Sequence, residues 1–322
     1  GGSFALSAQT AQFDGTATIQ TNGSNGPGGT VSIDVSQDVA IVNSGLYVNG
    51  STDGGSIRIL SRAGNLSLFD SEIQTNGGNG RGGSIGISAF NQTILENSSI
   101  QANGFIQGGT VLIGNDAQNG SLPFSLVTSI DENTTITAAQ LDPNPSNQLG
   151  GFIETSGHTL NLLSSINAGR GGMWLLDPNN VIISATATSG GSLPSYTAGA
   201  TTSYVKDTDI QNQINAGTSV TIVANGTITQ NTALIFNVSS AGLTPTLTLN
   251  NSSGSIQNIT LAAITDNSSG SGSKVNLSVI SAGGAITVGG AISVKGTISL
   301  DNTYQMNGNT SGYINSALTN WN

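Results

Sequence analysis

Of 322 residues, 7 are Lys or Arg and 17 are Asp or Glu, so 7% of the chain is charged where a soluble globular domain usually has about 25%; an apolar share of 36% with 45 glycines still suffices for a folded core. A net charge of −10 and a pI near 4.1 exclude a nucleic-acid partner, since nothing could neutralise a row of phosphates, and disfavour an anionic membrane equally. Cysteine is absent and His158 is the single histidine, which leaves no disulfide framework, thiolate site or histidine-rich metal centre and predicts no cofactor.

The opening residues Gly1-Gly2-Ser3-Phe4 lack the basic start and apolar stretch of a signal peptide, and no run of about 18 apolar residues exists for membrane insertion. Few charges and no cysteine suit a mature or excised piece of an extracellular fibre or wall. A repeat follows at once. Ile19-Gln20-Thr21-Asn22-Gly23, Leu46-Tyr47-Val48-Asn49-Gly50, Ile73-Gln74-Thr75-Asn76-Gly77 and Ile100-Gln101-Ala102-Asn103-Gly104 lie 27 residues apart. A Gly-Gly pair recurs at Gly1, Gly28, Gly54, Gly82 and Gly108, in steps of 27, 26, 28 and 26. After each pair comes an alternating stretch such as Val31, Ile33, Val35, the period-2 pattern of a strand with one buried face. Each unit holds about three short strands and three turns, too little to bury a face alone, so coils must stack. The prediction is an all-β parallel β-solenoid of about 27 residues per coil. Stacking at roughly 4.8 Å aligns Asn22, Asn49, Asn76 and Asn103 as a structural ladder of amide hydrogen bonds. Beside it Gly23, Gly50, Gly77 and Gly104 are expected to supply a left-handed turn residue. Ligand binding along the ladder is the alternative.

Residues 1–115 form the regular coils. From 116 to 183 the spacing loosens, with insertions at Ser121-Leu122-Pro123-Phe124 and Leu141-Asp142-Pro143-Asn144-Pro145. An excursion rich in Ser, Thr, Gly and Ala occupies 184–219, carrying Tyr196 and Tyr204. Within it, Asp209, Ile210 and Ile214 suggest one helical turn, capped by Asp207 or Thr208. Coils resume over 220–300: Val220/Ile222, Leu247/Leu249 and Val275/Leu277 are expected to stack, as are Ile228, Ile256 and Ile286. A polar tail closes the chain at 301–322. At about 25 residues per coil, about a dozen coils would make one elongated domain about 60 Å long.

A β-helix polysaccharide lyase or hydrolase needs clustered carboxylates, but the acidic residues are scattered: Asp34 and Asp38 share a coil, Asp53 lies near the next turn, and Asp131-Glu132 is the only adjacent pair. Asp177 before Pro178 is expected to be a turn residue. Gly77-Gly78-Asn79-Gly80-Arg81 approaches a calcium-roll repeat but places Arg where a carboxylate is needed. Threonine ranks such as Thr244/Thr246/Thr248 do not recur at the coil period, which speaks against an ice-binding face. No catalytic or metal residue is predicted. Trp174 sits among apolar neighbours as a core residue, and Tyr304, Tyr313 and Trp321 are candidate contacts at a junction between rods.

The string Gly169-Arg170-Gly171-Gly172-Met173-Trp174-Leu175-Leu176-Asp177-Pro178-Asn179-Asn180-Val181-Ile182-Ile183, with Ile214-Asn215-Ala216-Gly217-Thr218-Ser219-Val220-Thr221-Ile222, resembles the exoproteins of the filamentous haemagglutinin-like, two-partner secretion family. The match covers best about 150–300, and Trp174, Leu175, Leu176, Asp177 and Pro178 carry it. The resemblance implies a right-handed parallel β-helix on the surface of a Gram-negative bacterium, exported through an outer-membrane partner and used in adhesion, aggregation or biofilm. The family's N-terminal secretion domain is not visible, and the chain opens in mid-pattern, as if cut from a longer coil. The expected function is that of an extracellular, cell-surface fibre protein whose rods stack end to end or form part of a longer filament. Its partners would be further copies of itself and host-cell or matrix glycans. The alternatives are a monomeric adhesin segment, with recognition in the 184–210 excursion, and a polysaccharide-degrading β-helix enzyme.

Overall fold

A computed structural model describes residues 1–115, 122–143, 147–185, 202–251, 256–281 and 283–302, and the backbone of Ile314–Ser316. The expected junction residues Tyr304, Tyr313 and Trp321, and Tyr196 of the excursion, lie outside the described residues. The chain divides into two compact units, the first holding Gly1–Trp174 and the second most of the remainder. Both are parallel β-helices.

In the first unit every turn of the chain lays down three short strands, and the equivalents pair in parallel into three walls. The first wall holds Ser3–Ala8, Thr30–Val35, Ser56–Ser61, Ser84–Ala89, Thr110–Ile113 and Phe152–Gly157. The second runs from Ala11–Phe13 through Val39–Val42, Asn65–Phe69, Gln92–Glu96 and Val127–Ile130 to Thr159–Leu162. The third runs from Thr18–Gln20 through Gly45–Tyr47, Glu72–Gln74, Ser99–Gln101 and Thr135–Thr137 to Ser165–Asn167.

Register follows the apolar alternation: Phe4 sits beside Val31, Val31 beside Ile57, Ile57 beside Ile85, and Ile85 beside Val111. The inward columns Ile33, Ile59, Ile87, Ile113 and Leu46, Ile73, Ile100, Ile136 are fully buried. Each such side chain contributes about 1.5–3 kcal/mol, and each is covered only because coils lie on both sides. In the first coil Phe4, Leu6 and Ile19 remain half-exposed, whereas their neighbours Val31, Ile33 and Leu46 are sealed.

The second unit repeats the plan with less regular coils. Its first wall is Ser219–Val223, Thr246–Asn250, Asn276–Ser281 and Ile298–Asn302; its third is Leu234–Phe236, Ile264–Asp266 and Ile292–Ser293. In its second wall Asn180–Ser184 lies between Thr202–Lys206 and Ile228–Gln230, followed by Ile259–Leu261 and Ile286–Val288. The described end of the 184–219 excursion therefore returns to the sheet as a strand. It then forms a helix, Asp207–Ala216.

The helix is longer than the single turn expected, and its cap differs. Lys206 is the N-cap, with no side-chain cap bond, so Asp207 and Thr208 both lie inside. Gly217, at φ 89°, ends it, with its N–H on Ile214 O and the Thr218 N–H on Gln213 O. Ile210 and Ile214 are buried, and the helix covers the open edge of the third wall. There Gln211 Oε1 accepts the Ile235 N–H at 2.9 Å and Asn215 Oδ1 the Asn237 N–H at 2.6 Å, which satisfies donors that an edge strand would leave bare.

Three further expectations are corrected. Leu247 pairs with Leu277 and Leu249 with Val279, so Val275 precedes the strand and is not its first member. Ile228 stacks on Ile259, which pairs with Ile286, while Ile256 is exposed. Asp177 lies within the strand Met173–Pro178 and is not a turn residue. Trp174 is fully buried and donates Nε1–H to Thr155 Oγ1 at 3.0 Å; Leu175, Leu176 and Pro178 are buried too.

Candidate functional site

The ladder predicted at the third turn of each coil is present. Asn22 Oδ1 accepts the Asn49 N–H at 2.8 Å, Asn49 Oδ1 the Asn76 N–H at 2.7 Å, Asn76 Oδ1 the Asn103 N–H at 2.8 Å, and Asn103 Oδ1 the Ala139 N–H at 2.8 Å. The amide nitrogens reach back to the wall: Asn49 Nδ2 donates to Gln74 Oε1, Asn76 Nδ2 to Gln101 Oε1 and Asn103 Nδ2 to Thr137 Oγ1. Gly23, Gly50, Gly77 and Gly104 bridge one another beside the ladder. They are not left-handed, however; none has a positive φ. Glycine is required because a Cβ would strike backbone: at Gly50 it would lie 1.9 Å from Asp53 O, and at Gly77 2.0 Å from Arg81 O.

The left-handed residues stand at the second turn instead. Thr16, Asn43, Asp70 and Asn97 have φ of 73°, 50°, 49° and 45°, a region Asn and Asp tolerate better than other side-chain-bearing residues. The residues that follow Asn43, Asp70 and Asn97, namely Ser44, Ser71 and Ser98, point inward and, with Thr134 of the next coil, form a second ladder. The Ser44 N–H donates to Ser71 Oγ at 3.1 Å, the Ser71 N–H to Ser98 Oγ at 3.1 Å, and the Ser98 N–H to Thr134 Oγ1 at 3.3 Å. Sequence reading missed this row, although Asn43-Ser44, Asp70-Ser71 and Asn97-Ser98 repeat at the coil period.

Outside this corner runs a groove of about 460 Å³, lined by Thr16, Asn43, Asp70 and Asn97 and, on the third wall, by Tyr47 and Glu72. The Tyr47 ring lies over Gly45, where a Cβ would sit 2.4 Å from Cε2, so glycine clears the bed on which the ring rests. Its hydroxyl donates to Glu72 Oε2 at 2.8 Å, and Glu72 Oε1 accepts from Gln74 Nε2 at 2.5 Å. The hydrogen bond to Glu72, burial and the Glu72 charge raise the phenol pKa. Asn97 Nδ2 donates to Asp70 Oδ1. Asp131 accepts the Asn97 N–H and the Thr134 hydroxyl. Burial, with the charges of Asp131 and Asp70, raises the pKa of Glu96 nearby.

The carboxylates weighed for catalysis hold neighbouring coils. Asp34 pairs with Arg62 at 2.6 Å and Arg58 at 3.5 Å, Asp38 Oδ1 accepts the Asn65 N–H at 2.8 Å, and Asp53 Oδ1 the Arg81 N–H at 2.8 Å. In the second unit Asp266 points inward. Burial alone would raise its pKa, but the Ser268 hydroxyl and the backbone N–H groups of Val275, Ser268 and Lys295 outweigh it and lower it. Among the described residues no three His, Cys, Asp or Glu side chains gather to hold a metal ion, and no helix is long and apolar enough to cross a membrane.

Fold and surface together define a parallel β-helix protein with two polar ladders between coils and a shallow polar groove in its first unit. No protein-family model, curated protein or solved structure matches the chain.

Proposed function

We propose that the chain is a structural, non-enzymatic segment of an extracellular or cell-surface fibre, serving adhesion or biofilm matrix by coil-on-coil stacking. The observation that carries this reading is coil-on-coil burial: Ile33, Ile59 and Ile87 are sealed because an equivalent apolar residue pairs beside each of them in the coils on both sides. A coil of the same kind from another copy would extend backbone ladders and apolar columns together. Few charges keep the desolvation cost of such an approach low and its salt dependence weak.

Strand geometry supplies a clean test. Gly2 O and Ala8 O accept N–H groups from the second coil, so in this parallel ladder the even-numbered residues of Ser3–Ala8 face that coil and the odd-numbered ones face away from it. Ala5→Pro removes an outward N–H and spares the internal ladder. End-to-end filaments of the unaltered chain in electron micrographs, lost in Ala5→Pro with the far-ultraviolet spectrum unchanged, would support the proposal. Filaments that persist in the variant would remove it.

The Tyr47 groove favours a second reading, an adhesin segment that binds an uncharged glycan. Its ring is seated and its hydroxyl anchored, which suits stacking against the C–H face of a sugar. Titration with cellotetraose and chitotetraose, with Tyr47→Ala as control, tests it.

A further inference from the structure

The ladder asparagines all precede glycine, the pairing in which the following backbone nitrogen meets least hindrance in attacking the side-chain amide. The chain has nine Asn-Gly pairs, of which Asn119-Gly120 and Asn307-Gly308 lie outside the described residues. In six of the other seven the glycine N–H is committed to a backbone carbonyl. Gly23 donates to Asn49 O at 2.8 Å, Gly50 to Asn76 O at 2.9 Å, Gly77 to Asn103 O at 2.8 Å, Gly80 to Thr52 O at 3.0 Å, Gly104 to Ala139 O at 3.1 Å and Gly226 to Asn179 O at 2.7 Å. At four of the six, Asn22, Asn49, Asn76 and Asn103, the side-chain oxygen is held as well, by an N–H of the next coil. Gly26 is the exception. Its carbonyl accepts the Ser51 and Thr52 N–H groups at 3.0 and 3.4 Å, but among the described residues its own N–H has no acceptor, and Asn25 is exposed.

From this contrast we infer that Asn25 is a site of spontaneous covalent modification, deamidation through a cyclic imide, and that coil stacking shields the other six pairs. The Gly26 nitrogen forms a bond to Asn25 Cγ as the Cγ–Nδ2 bond breaks, and the departing Nδ2 leaves as ammonia carrying the proton lost by Gly26. Water then opens the imide at one carbonyl or the other, giving aspartate or an isoaspartyl linkage. Each event adds one negative charge, and the isoaspartyl form adds one main-chain carbon to a turn whose Gly26 carbonyl holds the next coil. Attack at a shielded pair must await local opening of the ladder.

The test is to age the folded chain in mildly alkaline buffer, age it unfolded in urea in parallel, and locate aspartate and isoaspartate by peptide mass spectrometry. In the folded chain Asn25 should convert at least about tenfold faster than any of the six, one committed hydrogen bond being of that order, while in urea the seven should converge. Gly26→Ala should fold normally, since its Cβ would meet nothing within 4 Å, and should suppress conversion at Asn25 by hindering the attacking nitrogen. Equal rates at Asn25 and Asn76 in the folded chain would overturn the proposal, as would an Asn25 intact when folded but converted in urea.

Discussion

Replacing Asn76 by alanine measures what one rung of the ladder is worth. The change strips the acceptor from the Asn103 N–H, held at 2.8 Å, and the donor from Gln101 Oε1, held at 3.2 Å. Leaving a shielded backbone N–H without a partner costs about 1–3 kcal/mol, and a part-exposed amide contact adds about 0.5–1 kcal/mol, so Asn76→Ala should destabilise the first unit by about 1.5–4 kcal/mol. Asn22→Ala should cost under about 1 kcal/mol, because its one ladder bond is exposed. Urea unfolding followed by circular dichroism gives the totals. Because stacked repeats can unfold in parts, amide exchange localises the loss: the Asn103 N–H should speed up in Asn76→Ala while the Asn49 N–H, held from the other side, stays protected. An effect below about 0.5 kcal/mol for Asn76→Ala, or equal costs at the two positions, would refute the reasoning.

Gly77→Asn should be as damaging as Gly77→Ala, because the obstacle is Arg81 O at 2.0 Å from a Cβ and not a left-handed backbone that asparagine tolerates; a milder Asn variant by thermal melting would contradict this. Ser71→Ala should cost about 1–3 kcal/mol by leaving the Ser44 N–H unpaired, while Ser71→Thr retains most of the stability if the added methyl fits. The lowered pKa of Asp266 means that its stabilisation is fully present above the ordinary carboxylate value of 3.8 and is lost as pH falls through its lower folded value; Asp266→Asn should flatten acid unfolding of the second unit below that pH, and an unchanged acid limb would count against the assignment. Trp174→Phe, losing the bond to Thr155 and some core volume, should lower stability by about 1–3 kcal/mol in a denaturant titration.

The coil plan was legible because two markers shared one period and the apolar residues alternated between them. What escaped was exact register. Val275 for Leu277 is a slip of two, which keeps the same side chains inward, so alternation alone does not separate the options; Ile256 for Ile259 is a slip of three, which changes face and leaves Ile256 exposed. The glycines at 23, 50, 77 and 104 were visible as a column, but a glycine needed for a positive φ and one needed for close approach are the same letter. Asn43, Asp70 and Asn97 carried the left-handed turn, with serine behind them, and that signal was diluted by Thr16 and Asn133 at either end. Distant coupling, such as Gln211 of the helix reaching Ile235, leaves no local trace.

The two ladders point in opposite senses: each asparagine oxygen reaches forward to hold an N–H of the following coil, while each hydroxyl of the serine row reaches back to hold one of the coil before. Three successive boundaries of the first unit, from the second coil to the fifth, are thus clasped twice, once by each neighbour. A rung opened in mid-stack orphans donors on both of its flanks, whereas one opened at an edge orphans them on a single flank. Damage should therefore creep inward from the ends rather than break out in the middle, as a knitted cord ravels while its centre keeps its stitch.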